Sequence, residues 1–266
     1  MRASWAIETK GQELATIGQF KSNLPPMLCR LYLNQELISG TRIPLPHDQA
    51  HYLRNVMRLT AEEPLVLFNG KGGEFHCRIE QLTRQHSTCL IESFSDINRE
   101  MPCRVHIVQA ACRSEKIEIV LQKATELGAA SFQIVRSERS SLKLDGAKLM
   151  KRMQRWQKII IEASEQSGRT AVPEVHWRHR LADIDQRGLC FTLHPGTNAR
   201  WQQQRDNIAP ALDITLAIGP EGGWNTSDLD RLTQNSFQSL SFGPRIMRTE
   251  TAAPALLAAI QSISRN

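Results

Sequence analysis

ITLAIGPEGGWNTSDL at residues 214–229 and LSFGPRIMRTETAAPALLAAI at residues 240–260 are the two stretches that decide the fold. In each, a strand-like apolar run leads through a loop of glycine and proline into a helical pattern. Strands that alternate with helices are typical of an α/β protein with a parallel sheet. Because the loops also carry polar side chains, the two stretches predict a ligand cradle built from the main chain.

The first loop contains three glycines and a proline. Gly219, Gly222 and Gly223 can adopt positive φ and let a ligand approach the backbone, while Pro220 stiffens the turn. The loop lacks the patterns GxxxxGK(S/T) and GxGxxG, and Glu221 stands where a phosphate loop needs cations and amides. A site for a nucleoside triphosphate or a dinucleotide is therefore a poor interpretation. A tight turn that only needs glycine remains an alternative.

The second loop begins with Gly243 and Pro244, which break the chain after a short strand. Two arginines, a glutamate and two threonines follow before a helix rich in alanine and leucine. Helix capping and surface charge account equally well for these residues when the loop is considered alone. Two such loops in succession favour a binding site.

Five motifs follow one another in an order typical of a single family. They read QKATELG at 122–128, EASEQSGR at 162–169, LHP at 193–195, IGPEGG at 218–223 and GPRIMRTET at 243–251. In this order and at these separations the chain resembles the ribosomal RNA small subunit methyltransferase E family. The resemblance covers nearly all of residues 27–266, and five ordered motifs make it specific.

The resemblance implies a SPOUT-superfamily enzyme that uses S-adenosylmethionine to methylate N3 of a uridine in 16S ribosomal RNA. It also implies a homodimer and three segments along the chain. Residues 1–26 have no counterpart in the family and are expected to be a poorly ordered extension. Residues 27–98 are expected to form a PUA-like RNA-binding β-barrel, and residues 99–266 an α/β methyltransferase domain with a C-terminal trefoil knot.

Three loops are predicted to share one pocket, because ligands of open α/β sheets bind at the carboxyl ends of strands. By resemblance this pocket is the cofactor site. Its predicted residues are Leu193, His194, Pro195, Ile218, Gly219, Pro220, Glu221, Gly222, Gly223, Leu240, Gly243, Arg245, Ile246, Met247, Arg248 and Thr251.

Two residues of the second loop are the predicted catalytic residues. Uracil N3 must lose a proton during methylation, and the guanidinium of Arg248 can bind the anion that develops. Glu250 either accepts the proton or orients Arg248. His194 is a further candidate, although a loop histidine followed by a proline is more often structural.

Composition predicts a soluble protein of the cytoplasm. The 266 residues are 41% hydrophobic but contain no apolar run of membrane-spanning length, and the first 26 residues lack the apolar core of a secretory signal. The six cysteines form no CxxC pair and are expected to be buried, reduced thiols.

The net charge is +6, and residues 136–169 contain nine lysines or arginines against four acids. Basic density of this kind attracts an anionic polymer, which the resemblance implies is 16S rRNA or the small subunit, although a solvated helix face is the alternative. The predicted RNA-binding residues are Arg30, Arg54, Arg58, Arg139, Arg152, Arg155, Glu165, Gln166 and Arg169. For Arg30, Arg54 and Arg58 a plain surface position is slightly favoured. Glu165, Gln166 and Arg169 are equally consistent with helix capping and surface pairing, and a partner subunit is the alternative to RNA as their contact.

Local patterns predict the individual elements. A hairpin is expected at 65–69 and 74–79, a strand at 86–91 and a helix at 47–59. A βαβ unit follows at 105–135, with Ser114 as the helix cap and Gly128 as its stop. The next helix buries a stripe from Leu149 to Ala163, three further strands lie at 189–193, 214–218 and 237–240, and the last helix starts near Ala253. Thr226 is the predicted N-cap of the helix that follows the strand at 214–218 and begins near Ser227.

No metal site is predicted. His176 and His179 form an HxxH that lacks nearby cysteines or a helix, so a loop position is expected. Two other functions stay open from the residues alone. One is a non-catalytic RNA-binding protein whose glycine loops are only turns, and the other is a related methyltransferase that acts on another RNA position.

Overall fold

The short apolar segments before residue 98 pair into one small sheet. The computed structural model describes residues 28–264, so the predicted extension at 1–26 lies outside the described residues. The elements are β1 (Arg30–Tyr32), β2 (Arg42–Pro44), α1 (His47–Asn55), β3 (Pro64–Phe68), β4 (Glu74–Leu82) and β5 (Ser87–Ser95). Their order is β1-β3-β4-β5-β2, with β1 and β3 parallel and the other pairs antiparallel. The predicted hairpin is confirmed as β3 and β4, and the predicted helix ends four residues early.

The remainder of the chain forms a second sheet of six parallel strands. Its elements are β6 (Arg104–Ala110), α2 (Ser114–Glu126), β7 (Ala129–Val135), α3 (Gly146–Ser167), β8 (Glu174–Arg178), β9 (Leu189–Leu193), α4 (Arg205–Ile208), β10 (Asp213–Ile218), α5 (Thr226–Gln234), β11 (Gln238–Leu240) and α6 (Thr249–Ile263). Every pairing in this sheet is parallel. The predicted α/β class is therefore confirmed.

The strand order in the second sheet is β11-β9-β10-β6-β7-β8. The chain first moves outward from β6 to β8 and then returns to place β10 on the other side of β6. In open α/β sheets, ligands bind beyond the carboxyl ends of the strands near such a reversal. The trefoil knot concerns how the chain is threaded, which strand pairing does not define, so it stays a prediction.

Helices cover both faces of the second sheet. Residues of α2, α3 and α6 pack in one core with strand side chains such as Ile107 and Phe132, and α5 contributes to a smaller core on other strand residues. The predicted stripe on α3 is confirmed, because Trp156, Ile160 and Ala163 are buried while its lysines point to solvent. One helix therefore combines a core stripe with a basic face.

Three helix starts differ from their predictions. The cap of α5 is Asn225 rather than Thr226, since its side-chain oxygen accepts a hydrogen bond from the backbone N–H of Asp228 at 2.7 Å. Ser114 is the first residue of α2 and not its cap. Helix α6 begins at Thr249, four residues before the predicted start, because the backbone N–H groups of its first turn bond to the carbonyl of Arg248. Gly128, at φ +89°, ends α2 as predicted.

A buried ionic cluster joins the two sheets. Glu74 on β4 accepts hydrogen bonds from Arg30 on β1 and from Arg99 at 2.8 Å. Arg30 and Arg99 also bond the carbonyls of Arg169 and Gly168, which follow α3, each at 3.0 Å. Burial alone would raise the pKa of Glu74, but the hydrogen bonds from Arg99 and Arg30 lower it to about 2. The carboxylate is therefore ionised at neutral pH and fixes the first sheet against the end of α3.

All six cysteines are buried, as predicted. Burial raises the pKa of several of these thiols, for instance that of Cys103 to about 11. Within residues 28–264, none of the helices is both long enough and apolar enough to cross a membrane.

Candidate functional site at the carboxyl edge of the parallel sheet

A cavity of about 1410 Å³ lies where β9, β10 and β11 end. The three predicted loops share it, as the strand-end argument requires. The predicted cofactor residues in its wall are Leu193, His194, Pro195, Ile218, Gly219, Pro220, Glu221, Gly222, Gly223, Leu240, Gly243, Arg245, Ile246, Met247 and Arg248. Thr251 does not line the cavity, because the early start of α6 places it exposed on the first helical turn.

The loop after β10 is fixed at both ends. Gly223 adopts φ +67°, and its N–H bonds the carbonyl of Pro220 at 2.9 Å, which closes a tight turn. The next residue, Trp224, is buried and donates from its indole Nε1 to the hydroxyl of Thr192 at 2.8 Å. That hydroxyl bonds the carbonyl of Ala217 on β10 at 2.9 Å. Hydrogen bonds through Thr192 on β9 therefore connect this loop to both β9 and β10.

A hydroxyl that the sequence did not single out joins the two glycine loops. Thr249 Oγ1, at the start of α6, donates to the carbonyl of Gly219 at 2.6 Å. It accepts from the side-chain amide of Gln109 at 2.9 Å, and Gln109 is fully buried on β6. The signal for this contact was present only as a polar residue inside an apolar strand, which is typical of a structural or functional hydrogen bond.

The loop after β11 leaves its main chain available. Residues 242–247 exchange no backbone–backbone hydrogen bond with the rest of the described chain. Gly243 adopts φ +73°, and a Cβ there or at Gly223 would meet no atom within 4 Å. Because these backbone groups are not used within the described chain and their residues are exposed or partly exposed to solvent, the loop can offer N–H and C=O groups to a ligand in place of water.

Lys116 on α2 holds the two acidic residues of the site. Its Nζ lies 3.2 Å from Glu250 Oε2 and 4.0 Å from Glu221 Oε1, and Glu221 also accepts from the N–H of Arg113 at 3.2 Å. Burial would raise the pKa of Glu250, but its own N–H, Lys116 and the charge of Arg248 together lower it. Lys116 lines the cavity, whereas Glu250 does not. The sequence did not predict a role for Lys116.

Arg248 is the N-cap residue of α6 and lines the cavity. Its side chain is exposed and forms no ion pair with a carboxylate among residues 28–264. A permanently charged guanidinium therefore lines the cavity, with Glu250 close enough to feel its charge but not in an ion pair with it.

The predicted RNA-binding residues have different surroundings. Arg139 bonds the carbonyl of Gly222 at 2.7 Å, so it braces the cavity loop. Arg152 and Arg155 both bind Glu118, at 3.1 and 2.7 Å. In the first sheet, Arg54 donates to the carbonyl of Thr83 at 2.7 Å. Arg58 and Gln166 are exposed.

Three of the predicted RNA contacts are buried or occupied inside the protein. Arg169 is buried and donates to the carbonyls of Thr125 and Ala129 at 3.0 and 2.8 Å, besides pairing with Glu100. Arg30 belongs to the ionic cluster, and Glu165 accepts the N–H of Tyr32 at 2.8 Å. These side chains join the two sheets, so the interpretation of Arg30, Glu165 and Arg169 as an RNA surface is corrected.

The histidines show no metal-binding arrangement. His176 lies on β8 rather than on the expected loop, and its Nε2 is 3.2 Å from Glu174. Across residues 28–264, three or more histidine, cysteine or acidic side chains nowhere come together as a metal would require. His194 Nδ1 accepts the N–H of Gly196 at 3.2 Å, which is a turn-forming contact.

Comparison with known protein families identifies two matching regions. Residues 99–261 match the RNA methyltransferase domain, and residues 45–92 match the RNA methyltransferase PUA domain. The PUA domain match therefore precedes the methyltransferase domain match along the chain.

Curated relatives extend the match to most of the chain. A ribosomal RNA small subunit methyltransferase E of Bacillus subtilis is 31% identical over 235 residues, which are 85% of this chain and 92% of the relative. A protein of the same name from Synechocystis is 32% identical over 245 residues, with 89% of this chain and 78% of the relative covered.

Solved structures agree with the fold over both sheets. A Legionella pneumophila protein described as a methyltransferase, in complex with the cofactor SAM, has a TM-score of 0.83 and 34% identity. A ribosomal RNA small subunit methyltransferase E from Neisseria gonorrhoeae, bound to S-adenosyl methionine, has a TM-score of 0.82 and 31% identity. Each comparison covers 89% of this chain and 98% of the other chain.

Proposed function

The chain belongs to the ribosomal RNA small subunit methyltransferase E family, and on that premise we propose that it transfers a methyl group from S-adenosylmethionine to N3 of a uridine in 16S ribosomal RNA. The observation that carries the proposal is the backbone cradle formed by the loops after β9, β10 and β11. The proposal includes a cytoplasmic location, because its substrate is 16S ribosomal RNA.

The residues present fit S-adenosylmethionine. Gly223 and Gly243 adopt left-handed backbone conformations. A Cβ at either position would project into open space, and its absence leaves that space to the cofactor. The free N–H and C=O groups of residues 242–247 suit the hydrogen-bonding edge of adenine, and Leu193, Ile218 and Leu240 supply apolar contacts for its faces. When bound, the cofactor supplies an electrophilic methyl group.

The task left to the protein is to align the uridine and to stabilise the charge that N3 gains on losing its proton. Arg248 suits this task, because it is charged at all relevant pH values, lines the cavity and has no described carboxylate partner. A preorganised cation beside a developing anion lowers the barrier without reorganising during the reaction.

Glu250 acts as a positioning residue in this proposal. Its carboxylate is held by Lys116 at 3.2 Å, and its lowered pKa makes it a weak base. Of the two roles predicted for Glu250, accepting the proton is therefore disfavoured. The carboxylate instead holds α2 against the first turn of α6, which presents Arg248, and solvent takes the proton.

The substrate surface combines the PUA-like region with the basic face of α3. RNA phosphates attract such a face through sequence-independent electrostatics. The homodimer belongs to the same proposal: Ile246 at the cavity rim is 82% exposed, and a second copy would cover this large apolar side chain. Light scattering of the purified protein tests the dimer.

Calorimetry and single-turnover methylation test the function. Wild-type protein should bind S-adenosylmethionine saturably and methylate unmodified small-subunit RNA. With cofactor and RNA saturating, Arg248→Ala should slow methylation by roughly 100- to 1,000-fold. Arg205→Ala, an exposed arginine outside the cavity wall, serves as the matched control and should behave as wild type. Saturable RNA binding without cofactor binding would instead support a non-catalytic RNA-binding protein.

A further inference from the structure

The cavity extends past the predicted cofactor loops. Its volume of about 1410 Å³ exceeds the roughly 300–1,000 Å³ that is usual for a small-molecule pocket. The additional wall comes from the segment after Pro195 and consists of Thr197, Asn198, Arg200, Gln202 and Gln203. None of these residues belongs to the motifs that carry the resemblance.

This segment is held rigidly beside β11. Arg200 forms a parallel β-bridge with Ser241. The N–H of Trp201 bonds the carbonyl of Ser241 at 3.0 Å, and the N–H of Ser241 bonds the carbonyl of Ala199 at 2.8 Å. Trp201 is buried and makes edge-to-face contacts with Phe191 and Phe242 at centroid distances of 5.9 and 5.8 Å. The backbone that presents Arg200 is therefore preformed.

The electrostatics of the wall favour an anion. Arg200, Arg245 and Arg248 line the cavity together with Lys116, whose charge is engaged by Glu250 at 3.2 Å, whereas Glu221 is the one acidic side chain in that described wall. Glu221 is already engaged by the N–H of Arg113 at 3.2 Å. Arg200 is exposed and has no ion-pair partner in the part of the chain that the structure covers.

We propose that Arg200 and the neighbouring amide side chains form an acceptor subsite, in which Arg200 binds a backbone phosphate of the substrate RNA next to the target uridine. A guanidinium matches the geometry of phosphate and stays charged, which suits this ligand. Asn198 and Gln202 lie in the same wall and offer amide donors and acceptors to the adjoining ribose. This subsite rests on the proposed function, because it takes the methyl acceptor into the same cavity.

RNA affinity measured without cofactor tests the subsite directly. Filter binding with unmodified small-subunit ribosomal RNA, made by transcription, should show a roughly tenfold weaker affinity for Arg200→Ala, as expected for the loss of a charge-assisted hydrogen bond. The slope of log affinity against log salt should fall by about 0.7–0.9, the contribution of one phosphate contact. Arg200→Lys should recover part of the affinity. Arg205→Ala, five residues away and outside the wall, is the matched control and should equal wild type.

Cofactor calorimetry on the same variants separates the two proposals. The subsite requires that Arg200→Ala bind S-adenosylmethionine as wild type does. If this variant loses cofactor affinity and keeps RNA affinity, Arg200 binds the cofactor carboxylate and the subsite is wrong. It is also wrong if wild type methylates RNA and Arg200→Ala matches Arg205→Ala in RNA affinity and salt slope. If wild type neither binds cofactor nor methylates RNA, the proposed function fails and the subsite fails with it.

Discussion

Thr249→Val removes one hydroxyl that ties together β6, the loop after β10 and the start of α6. Thr249 Oγ1 makes two hydrogen bonds, to the carbonyl of Gly219 at 2.6 Å and from Gln109 Nε2 at 2.9 Å. Valine has nearly the same shape but makes neither bond. The substitution therefore tests these two hydrogen bonds with little change in packing volume.

The expected loss follows from the groups left behind. A buried hydrogen bond contributes about 1 kcal/mol, and a buried polar group left unpaired costs about 1–3 kcal/mol. Gln109 Nε2 keeps its bond to the carbonyl of Ala110 at 3.1 Å and lies 3.5 Å from the carbonyl of Gly219, so part of the loss is recovered. We expect a net destabilisation of about 2 kcal/mol, equivalent to a melting temperature lower by about 4–8 °C.

The two hydrogen bonds of Thr249 also connect two walls of the cavity. Thr249→Val should therefore weaken S-adenosylmethionine binding by about tenfold. Thermal unfolding and calorimetry measure the two effects. Thr249→Ser keeps the hydroxyl and loses a methyl group, so it should lose stability but keep most of its cofactor affinity. If Thr249→Val matches wild type in both melting temperature and cofactor affinity, the two hydrogen bonds of Thr249 have no role in shaping the site.

Three further predictions concern the cavity and the ionic cluster. Gly223→Ala should abolish measurable cofactor binding in calorimetry, whereas Gly72→Ala, also at positive φ beside open space but outside the cavity wall, should only lose stability. Lys116→Met leaves the Glu250 carboxylate without its ion-pair partner, so it should lower the free energy of unfolding by roughly 1–3 kcal/mol in denaturant unfolding at pH 7. This difference from wild type should shrink below pH 4.5 as Glu250 becomes protonated. Glu74 has its pKa lowered from 4.5 to about 2, so its contribution of roughly 3 kcal/mol is complete above pH 4.5 and is lost as the pH falls to 2. Glu74→Gln should remove this acid dependence, and an unchanged acid profile would contradict it.

The parallel sheet and its ligand edge were predictable because local signals agree with the tertiary structure. The apolar run of β10 is fully buried after its first residue, and the glycines that follow occupy turns that need them. Parallel strands end at one edge of their sheet, so the three loops had to meet. The stripe on α3 was equally visible, since helical spacing fixes which residues share a face.

Other features depend on contacts between residues distant in sequence. Arg169 lies in a basic segment, yet it is buried by partners 40 and 44 residues away, so charge density alone suggested a surface role. The wall residues 197–203 contain no glycine, and they are anchored by Ser241, which directly follows β11. Helix boundaries shifted where neighbouring capping residues compete, as with Asn225 and Thr226.

Mass spectrometry of 16S ribosomal RNA nucleosides tests the central claim most directly. Deleting the gene for this protein should remove N3-methyluridine from the 16S RNA of the host cell. Expression of the wild-type chain should restore it, and expression of Gly223→Ala should not. Full retention of N3-methyluridine in the deletion strain would contradict the assignment of this activity to the chain.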